Sequence, residues 1–302
     1  MTRLLTAEAA AATVAPGMTV GIGGLQGNHP MATIRALARL GTGGLTVVGP
    51  PVGMAGEILI AAGGVRRLAA PYMGAEGVVA VAPAYRAAVQ AGELELWECD
   101  EAILLTALRA AAQGLPYLPW RGGLGTDLPA LNPALIPYVD EPSGTPLLRV
   151  PALPLDVALL RALEADEHGN VRYHAHSAFA DPALARAARR VYVEVERLVD
   201  HAAVLDAPER TVHHRVDGVI VAPYGSHPFR AAAAIDEDSE WLLEWAAGIR
   251  AALAEGVPVA EADVVTRALA PPDHDAYLAG LGAERLARLT QAHRPAAGRS
   301  TD

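Results

Sequence analysis

Val20-Gly21-Ile22-Gly23-Gly24-Leu25-Gln26-Gly27-Asn28-His29-Pro30 is a short apolar run that opens into four glycines within seven residues. The periodic segment Met31 to Leu40 follows. This order predicts a strand, a glycine loop and a helix. Glycines let backbone N–H groups turn toward a ligand without interference from a Cβ. A helix that starts after such a loop favours negative charge near its first turn. The loop is therefore read as facing an acyl or thioester group. It does not fit a dinucleotide site. Counted from Gly21, the third glycine of Gly-x-Gly-x-x-Gly falls on Gln26, and no acid follows the next strand at Val48-Gly49.

The wider composition narrows the function classes. With 302 residues, 52% of them hydrophobic, the chain is long enough for one large α/β domain. Its net charge of −10 and the lack of a basic run argue against nucleic acid or an anionic membrane as partner. All 24 basic residues are Arg, which excludes Schiff-base chemistry and a P-loop lysine. The single cysteine, Cys99, allows no intramolecular disulfide and no Cys-based zinc site, so a cytoplasmic location is expected. The N-terminal residues to Glu8 read as a soluble first helix, and no apolar stretch is long enough to suggest a membrane span.

Strand and helix patterns alternate along the rest of the chain. Strands are expected at 45–48, 65–70, 93–97, 191–195 and 216–222. Helices are expected at 55–62, 82–91, 102–113, 237–255 and across most of 264–291. Residues 115–154, rich in Pro and Gly, read as a long irregular segment of the kind that is often functional. Residues 156–165 are left open between strand and helix entry. The turn Asp166 to Asn170 points to a hairpin with Val171 to Tyr173. Asp181 is expected to N-cap a helix over 182–190. The pattern predicts an α/β fold with an open, mostly parallel sheet flanked by helices. Residues 1–292 form a single domain on this reading, and 293–302 a disordered tail.

Four sets of residues carry candidate chemistry. Glu98, Asp100 and Glu101 sit where a strand hands over to a helix. Asp100 and Glu101 fit the ordinary role of acids in a first helical turn. Glu98, beside Trp97, is the candidate nucleophile, base or substrate contact. Arg121, in a Gly-rich loop, is read either as a carboxylate or phosphate clamp or as a surface Arg stacked on Trp120. His174 and His176 lack a third ligand at metal spacing, so an exposed or hydrogen-bonded pair is expected and no metal site. His213-His214 and His274 are read as loop-like and given the same role. Ser226 lacks the Gly-x-Ser-x-Gly elbow of a hydrolase.

Taken together, these stretches resemble the A (alpha) subunit of class I coenzyme A transferases. Its relatives include the glutaconate CoA-transferase A subunit and the A subunit of a steroid ring-opening CoA-ester hydrolase. The likeness rests on Pro16 to Leu25 with Pro30-Met31, on Glu98 to Glu101 with 108–127, on Asp166 to Asn170 with Asp181, and on Val221 to Pro228. It departs from the family pattern at Pro16 and Leu25. The resemblance implies the CoA-transferase fold and a heterodimer or heterotetramer with a B subunit that carries the nucleophilic glutamate. It also implies a coenzyme A thioester as substrate, with no permanently bound cofactor. Gly23 and Gly24 would donate N–H groups to the oxyanion, and Leu25, Gln26, Gly27, Asn28 and Arg121 would contact substrate. In the hydrolase relatives a glutamate of the alpha-type chain does essential work, and Glu98 is the candidate for it here. A non-catalytic scaffold that only stabilises its partner is the third reading.

Overall fold

The computed structural model of the chain describes residues 3–291 apart from 26, 175–177, 207 and 213–215. Gln26, His176, His213, His214 and the tail from 293 thus lie outside the described residues. In place of the expected first helix, the structure begins with strand β1 (Arg3–Leu5). Helix α1 (Ala7–Ala11) follows, its first turn capped by the Thr6 hydroxyl, which accepts from the Ala9 N–H. Four strand–helix units come next. They are β2 (Thr19–Ile22) with α2 (Met31–Arg39), β3 (Leu45–Val48) with α3 (Gly53–Ala61), β4 (Val65–Ala69) with α4 (Pro83–Gln90), and β5 (Glu95–Leu96) with α5 (Glu101–Ala112).

The segment expected to be irregular is a small antiparallel sheet. Strand β6 (Tyr117–Trp120), helix α6 (Leu128–Leu131) and strands β7 (Ile136–Asp140) and β8 (Thr145–Pro151) build this region, with strand order β6-β8-β7. Its prolines obey the strand rules that their number conceals. Pro119 and Pro137 lie on the two edge strands, while Pro146 and Pro151 lie at the ends of the central one.

The chain then re-enters the main sheet with β9 (Leu155–Ala165), an 11-residue strand, which settles the open reading there. Strand β10 (Val171–Arg172) folds back on it as the expected hairpin. Helix α7 (Asp181–Ala187), β11 (Ala188–Leu198), α8 (His201–Leu205), β12 (Thr211–Val212) and β13 (Gly218–Val221) follow. Helices α9 (Ser239–Ala254), α10 (Asp263–Leu269), α11 (His274–Leu281) and α12 (Ala283–Gln291) complete the described chain. No helix among the described residues is long and apolar enough to cross a membrane.

The main sheet runs β1-β13-β11-β9-β2-β3-β4-β5, and every pair along this path is parallel. Progress from β2 to β5 moves toward one edge. Progress from β9 through β11 to β13 moves toward the other. The direction reverses between β2 and β9, which is where open α/β sheets form ligand crevices at their carboxyl ends.

Alternation along the central strand sorts the core into two layers. Val157 and Leu159 face α1 to α4, α9 and α10, whereas Ala158, Leu160 and Ala162 face α5, α7 and the small sheet. Arg161 shares the parity of Val157 and Leu159. On β11 its register partner is Glu194, and both side chains are fully buried with 2.6 Å between Nη1 and Oε1. Glu196 also accepts from the Arg161 guanidinium. Replacing Arg161 with Met would leave these two carboxylates without their cation. Removal of one partner of a buried pair costs about 3–5 kcal/mol. Urea unfolding of Arg161→Met is expected to show a loss of that size, and a change below about 1 kcal/mol would contradict it.

Glu57 on α3 is the second buried acid of structural weight. Its carboxylate accepts the Ala84 and Tyr85 N–H groups at 2.7 and 2.8 Å and so caps α4. Burial pushes its carboxyl up to about 7, against the pull of these two bonds. A folded-state value raised this far favours the folded chain below the ordinary value of 4.5. The contribution is lost as pH rises toward 7. The urea midpoint of Glu57→Gln should therefore depend less steeply on pH than wild type between about pH 4.5 and 7. Identical slopes would remove Glu57 as the source.

Candidate functional site

The glycine loop occupies the switch point between β2 and β9. Its backbone is held from several directions. The Gly23 N–H continues the sheet by donating to Leu159 O at 2.9 Å. The Gly24 N–H donates to Asp181 Oδ1 at 3.1 Å. Leu25 N–H donates to Gly27 O at 3.1 Å, and Asn28 N–H to Arg230 O at 2.8 Å. The Asn28 side chain donates to Arg161 O at 2.7 Å. Both the Gly23 and the Gly24 amides are thus engaged within the chain. Gly27 alone among the described residues 23–28 has an N–H with no partner there. Leu25 is the exposed residue of the described loop.

Glycine at two of these positions answers close approach. A Cβ on Gly23 would lie 2.5 Å from Asp181 Oδ1. At Gly24, φ is +100° and a Cβ would lie 2.5 Å from Gly27 O.

Asp181 differs from its expected role. It is the first residue of α7 rather than its cap, and the flanking Ala180 makes no side-chain cap bond. Its carboxyl turns inward and is 1% exposed. Tyr173 donates its hydroxyl to Oδ2 at 2.9 Å. Burial pushes the Asp181 carboxyl up to about 7, opposed by the Gly24 and Tyr173 bonds.

The first turn of α2 already has its anion. Thr33 donates both its N–H and its hydroxyl to Glu194 Oε2 at 3.0 Å. The helix start expected to favour an external negative charge is served by a carboxylate of the same chain. His29 closes the other side of the loop. It is fully buried and its Nδ1–H donates to Gly23 O at 2.7 Å. Burial pulls its pKa down to about 4, against that bond, so the ring is neutral near pH 7. Phe229 packs edge-on against it with ring centroids 5.0 Å apart.

Glu98 and Arg121 lie elsewhere. Glu98 follows β5, the outermost strand, and its carbonyl accepts from Asn132 Nδ2 at 2.9 Å. Three strand spacings separate β5 from β2, about 14 Å. The half-buried Glu98 shares the carboxyl edge with the glycine loop but does not touch it. No ion pair engages Glu98 among the described residues. Asp100 accepts from the Ile103 N–H at 2.6 Å and caps α5, in keeping with its position. Cys99 is buried, and burial beside Asp100 and Glu98 pushes its thiol up to about 12. Arg121 is exposed at the end of β6. The cation–aromatic contacts of the small sheet belong to Arg149, over Tyr138 at 4.9 Å and Tyr117 at 5.5 Å.

His274 is not in a loop. It opens α11, where its Nε2–H donates to Pro223 O at 2.7 Å and its Nδ1 accepts from Arg35 at 3.1 Å. Arg35 lies over the Tyr277 ring at 3.7 Å and donates to His227 O. His227 in turn bonds the Tyr277 hydroxyl and Asp238, and Asp238 pairs with Arg285. The C-terminal helices are thereby tied to α2 directly behind the loop. Among the described residues no cluster of His, Cys, Asp or Glu has metal-site geometry.

The residues that sequence reasoning misses are Tyr173, Arg161 and Glu194. Their one visible signal is a charge inside an otherwise apolar strand pattern, at Arg161 and again at Glu194.

Comparison with known proteins agrees with this geometry. The Coenzyme A transferase family matches residues 4–222. The cholesterol ring-cleaving hydrolase IpdA subunit of Rhodococcus jostii is 35% identical over 76% of this chain and 81% of its own length. The A subunit of the glutaconate CoA-transferase of Acidaminococcus fermentans is 28% identical over 96% of this chain and 95% of its own. The crystal structure of that organism's glutaconate coenzyme A-transferase superposes with a TM-score of 0.81 at 26% identity, covering 95% of each chain. With its open parallel sheet, its clamped glycine loop at the switch point and these similarities, the chain belongs to the Coenzyme A transferase family of enzymes.

Proposed function

We propose that this chain is the A-type subunit of a heteromeric enzyme that moves coenzyme A between an acyl-CoA thioester and a small carboxylic acid. The observation that carries the reading is the glycine loop, held rigid at the carboxyl end of β2 by Asp181, His29 and Arg230. Similarity to the A subunit of a glutaconate CoA-transferase along nearly the whole chain supports it. The nucleophilic carboxylate comes from a B-type partner. It attacks the thioester carbonyl, the C–O bond forms, the C–S bond breaks and CoA leaves as thiolate. The thiolate then attacks the partner's carbonyl in the resulting anhydride, releasing the acyl group as carboxylate and leaving a glutamyl-CoA thioester. An incoming acid reverses the sequence. Gly27, whose N–H has no partner in the described chain, is the remaining backbone donor for the oxyanion. Leu25 and Asn28 line the acyl path, and Arg121 is a substrate contact only if the partner brings it close.

A second reading, hydrolysis of a CoA ester, is favoured by Glu98. This half-buried carboxylate carries no ion pair among the described residues and stands at the carboxyl end of a parallel strand, a place suited to a general base. The likeness to a ring-cleaving hydrolase subunit points the same way.

Co-expression with the B-type partner separates the two. Acyl-CoA is supplied with short mono- and dicarboxylic acids, and new thioester is measured against free thiol. Transfer by the complex and none by the chain alone is expected; full activity of the isolated chain would sink the heteromeric reading. Glu98→Ala should leave transfer within about threefold of wild type, whereas a general base is worth about 10²–10⁴-fold in hydrolysis. Gly24→Val, which forces a Cβ against Gly27 O, should lower turnover by about 100-fold, the usual effect of an ångström-scale misplacement. Wild-type turnover in that variant would dismiss the loop as the acyl site.

A further inference from the structure

We propose that the buried pair Asp181–Tyr173 is the positioning element of the glycine loop, fixing the Gly23–Gly24 peptide so that the loop presents one backbone geometry at Gly23 and Gly24 to the acyl group. The claim rests on the acyl-CoA reading above for its catalytic consequence, and on geometry alone for the loop itself.

Three observations converge. First, the carboxyl reaches the loop from a distant element. Asp181 opens α7 on the opposite face of the sheet from α2, and Oδ1 takes the Gly24 N–H at 3.1 Å. Second, the approach is so close that only glycine fits opposite it, since a Cβ on Gly23 would lie 2.5 Å from Oδ1 and 2.9 Å from Cγ. A side chain kept for helix capping alone would point outward. This one is buried, and its helix is left without a side-chain cap. Third, the carboxyl is itself fixed. Tyr173, fully buried at the end of β10, donates to Oδ2 at 2.9 Å. With both oxygens engaged, rotation of the carboxyl would break a bond on either side.

The charge state follows from the surroundings. The titratable groups facing this carboxyl are Tyr173 behind it and His29 across the Gly23 peptide, and neither is a cation near pH 7. Leu160 of β9 borders the same Gly23 position from the sheet. A carboxylate directly beneath the loop would repel an oxyanion forming above it. The neutral acid would not; it still accepts from Gly24 through Oδ1, and its Oδ2–H donates to the Tyr173 oxygen, reversing the bond that the carboxylate accepts. The neutral acid is therefore the working form, and Asn reproduces its shape and polarity.

The test uses the complex with the B-type partner. Hydrogen exchange of the peptide spanning residues 20–31 reads the loop directly, and acyl-CoA turnover across pH reads the consequence. Asp181→Ala should raise exchange in this peptide by about tenfold, the equivalent of one lost hydrogen bond. It should lower kcat by about 10–100-fold with KM within about threefold, as expected for a misplaced acyl site. Tyr173→Phe should give an intermediate change in both. Asp181→Asn should keep loop protection and kcat close to wild type below pH 7, and should lack the decline in kcat that is expected of wild type as pH rises past about 7. If Asp181→Ala does not assemble, Tyr173→Phe and Asp181→Asn decide the matter. Loop exchange unchanged in every variant that assembles would overturn the proposal, as would an Asp181→Asn complex as impaired as Tyr173→Phe. If the wild-type complex turns over no acyl-CoA, the functional reading fails while the exchange measurement still decides the positioning claim.

Discussion

The carboxylate of Glu194 is the interaction around which the other buried polar groups arrange themselves. One oxygen meets Arg161 across the β9–β11 register, and the other takes two donors from Thr33 at the start of α2. A charge pair inside a sheet is expensive to desolvate, and an unserved helix start is expensive to bury. Joining them lets each satisfy the other. The sheet and α2 are consequently fixed against each other at the place where the chain leaves β2. The glycine loop between them is suspended from two fixed points rather than free to choose its own path.

Asp181 then acts from the opposite face. The two acids divide the work by layer. Glu194 stands on the α2 side of the sheet and Asp181 on the α7 side, with the loop between. Burial raises the pKa of each, yet only Glu194 has a guanidinium against it to oppose that rise. The different company sets apart the surroundings of two buried acids that serve the same loop. It also explains why a site built on glycines needs so few groups of its own exposed.

Much of the architecture is legible without coordinates. The strand and helix starting at Thr19 and Met31, the units that follow, and the acids Asp100 and Glu101 at a helix start all rest on short-range patterns that local sequence carries. The small antiparallel sheet is not legible, because prolines at permitted edge positions look identical to prolines in a loop. The candidate site is legible only on the loop side. Asp181 meets Gly24 across 157 positions and Glu194 meets Thr33 across 161, so neither partner is visible from the other. The Gly23 and Gly24 amides look available to substrate for that reason. A loop that looks open in sequence is satisfied by residues half a chain away.

Arg35 gives the fold one more property. The family match ends at residue 222, yet Arg35 sits on the buried side of α2 with Tyr277 and His274 beyond that boundary stacked and bonded to it. The helices beyond the family match thus form the back wall of the matched region. The seat of α2 behind the loop therefore draws part of its rigidity from helices that the family match does not reach. Grafting the glycine segment into another scaffold would carry over none of that rigidity.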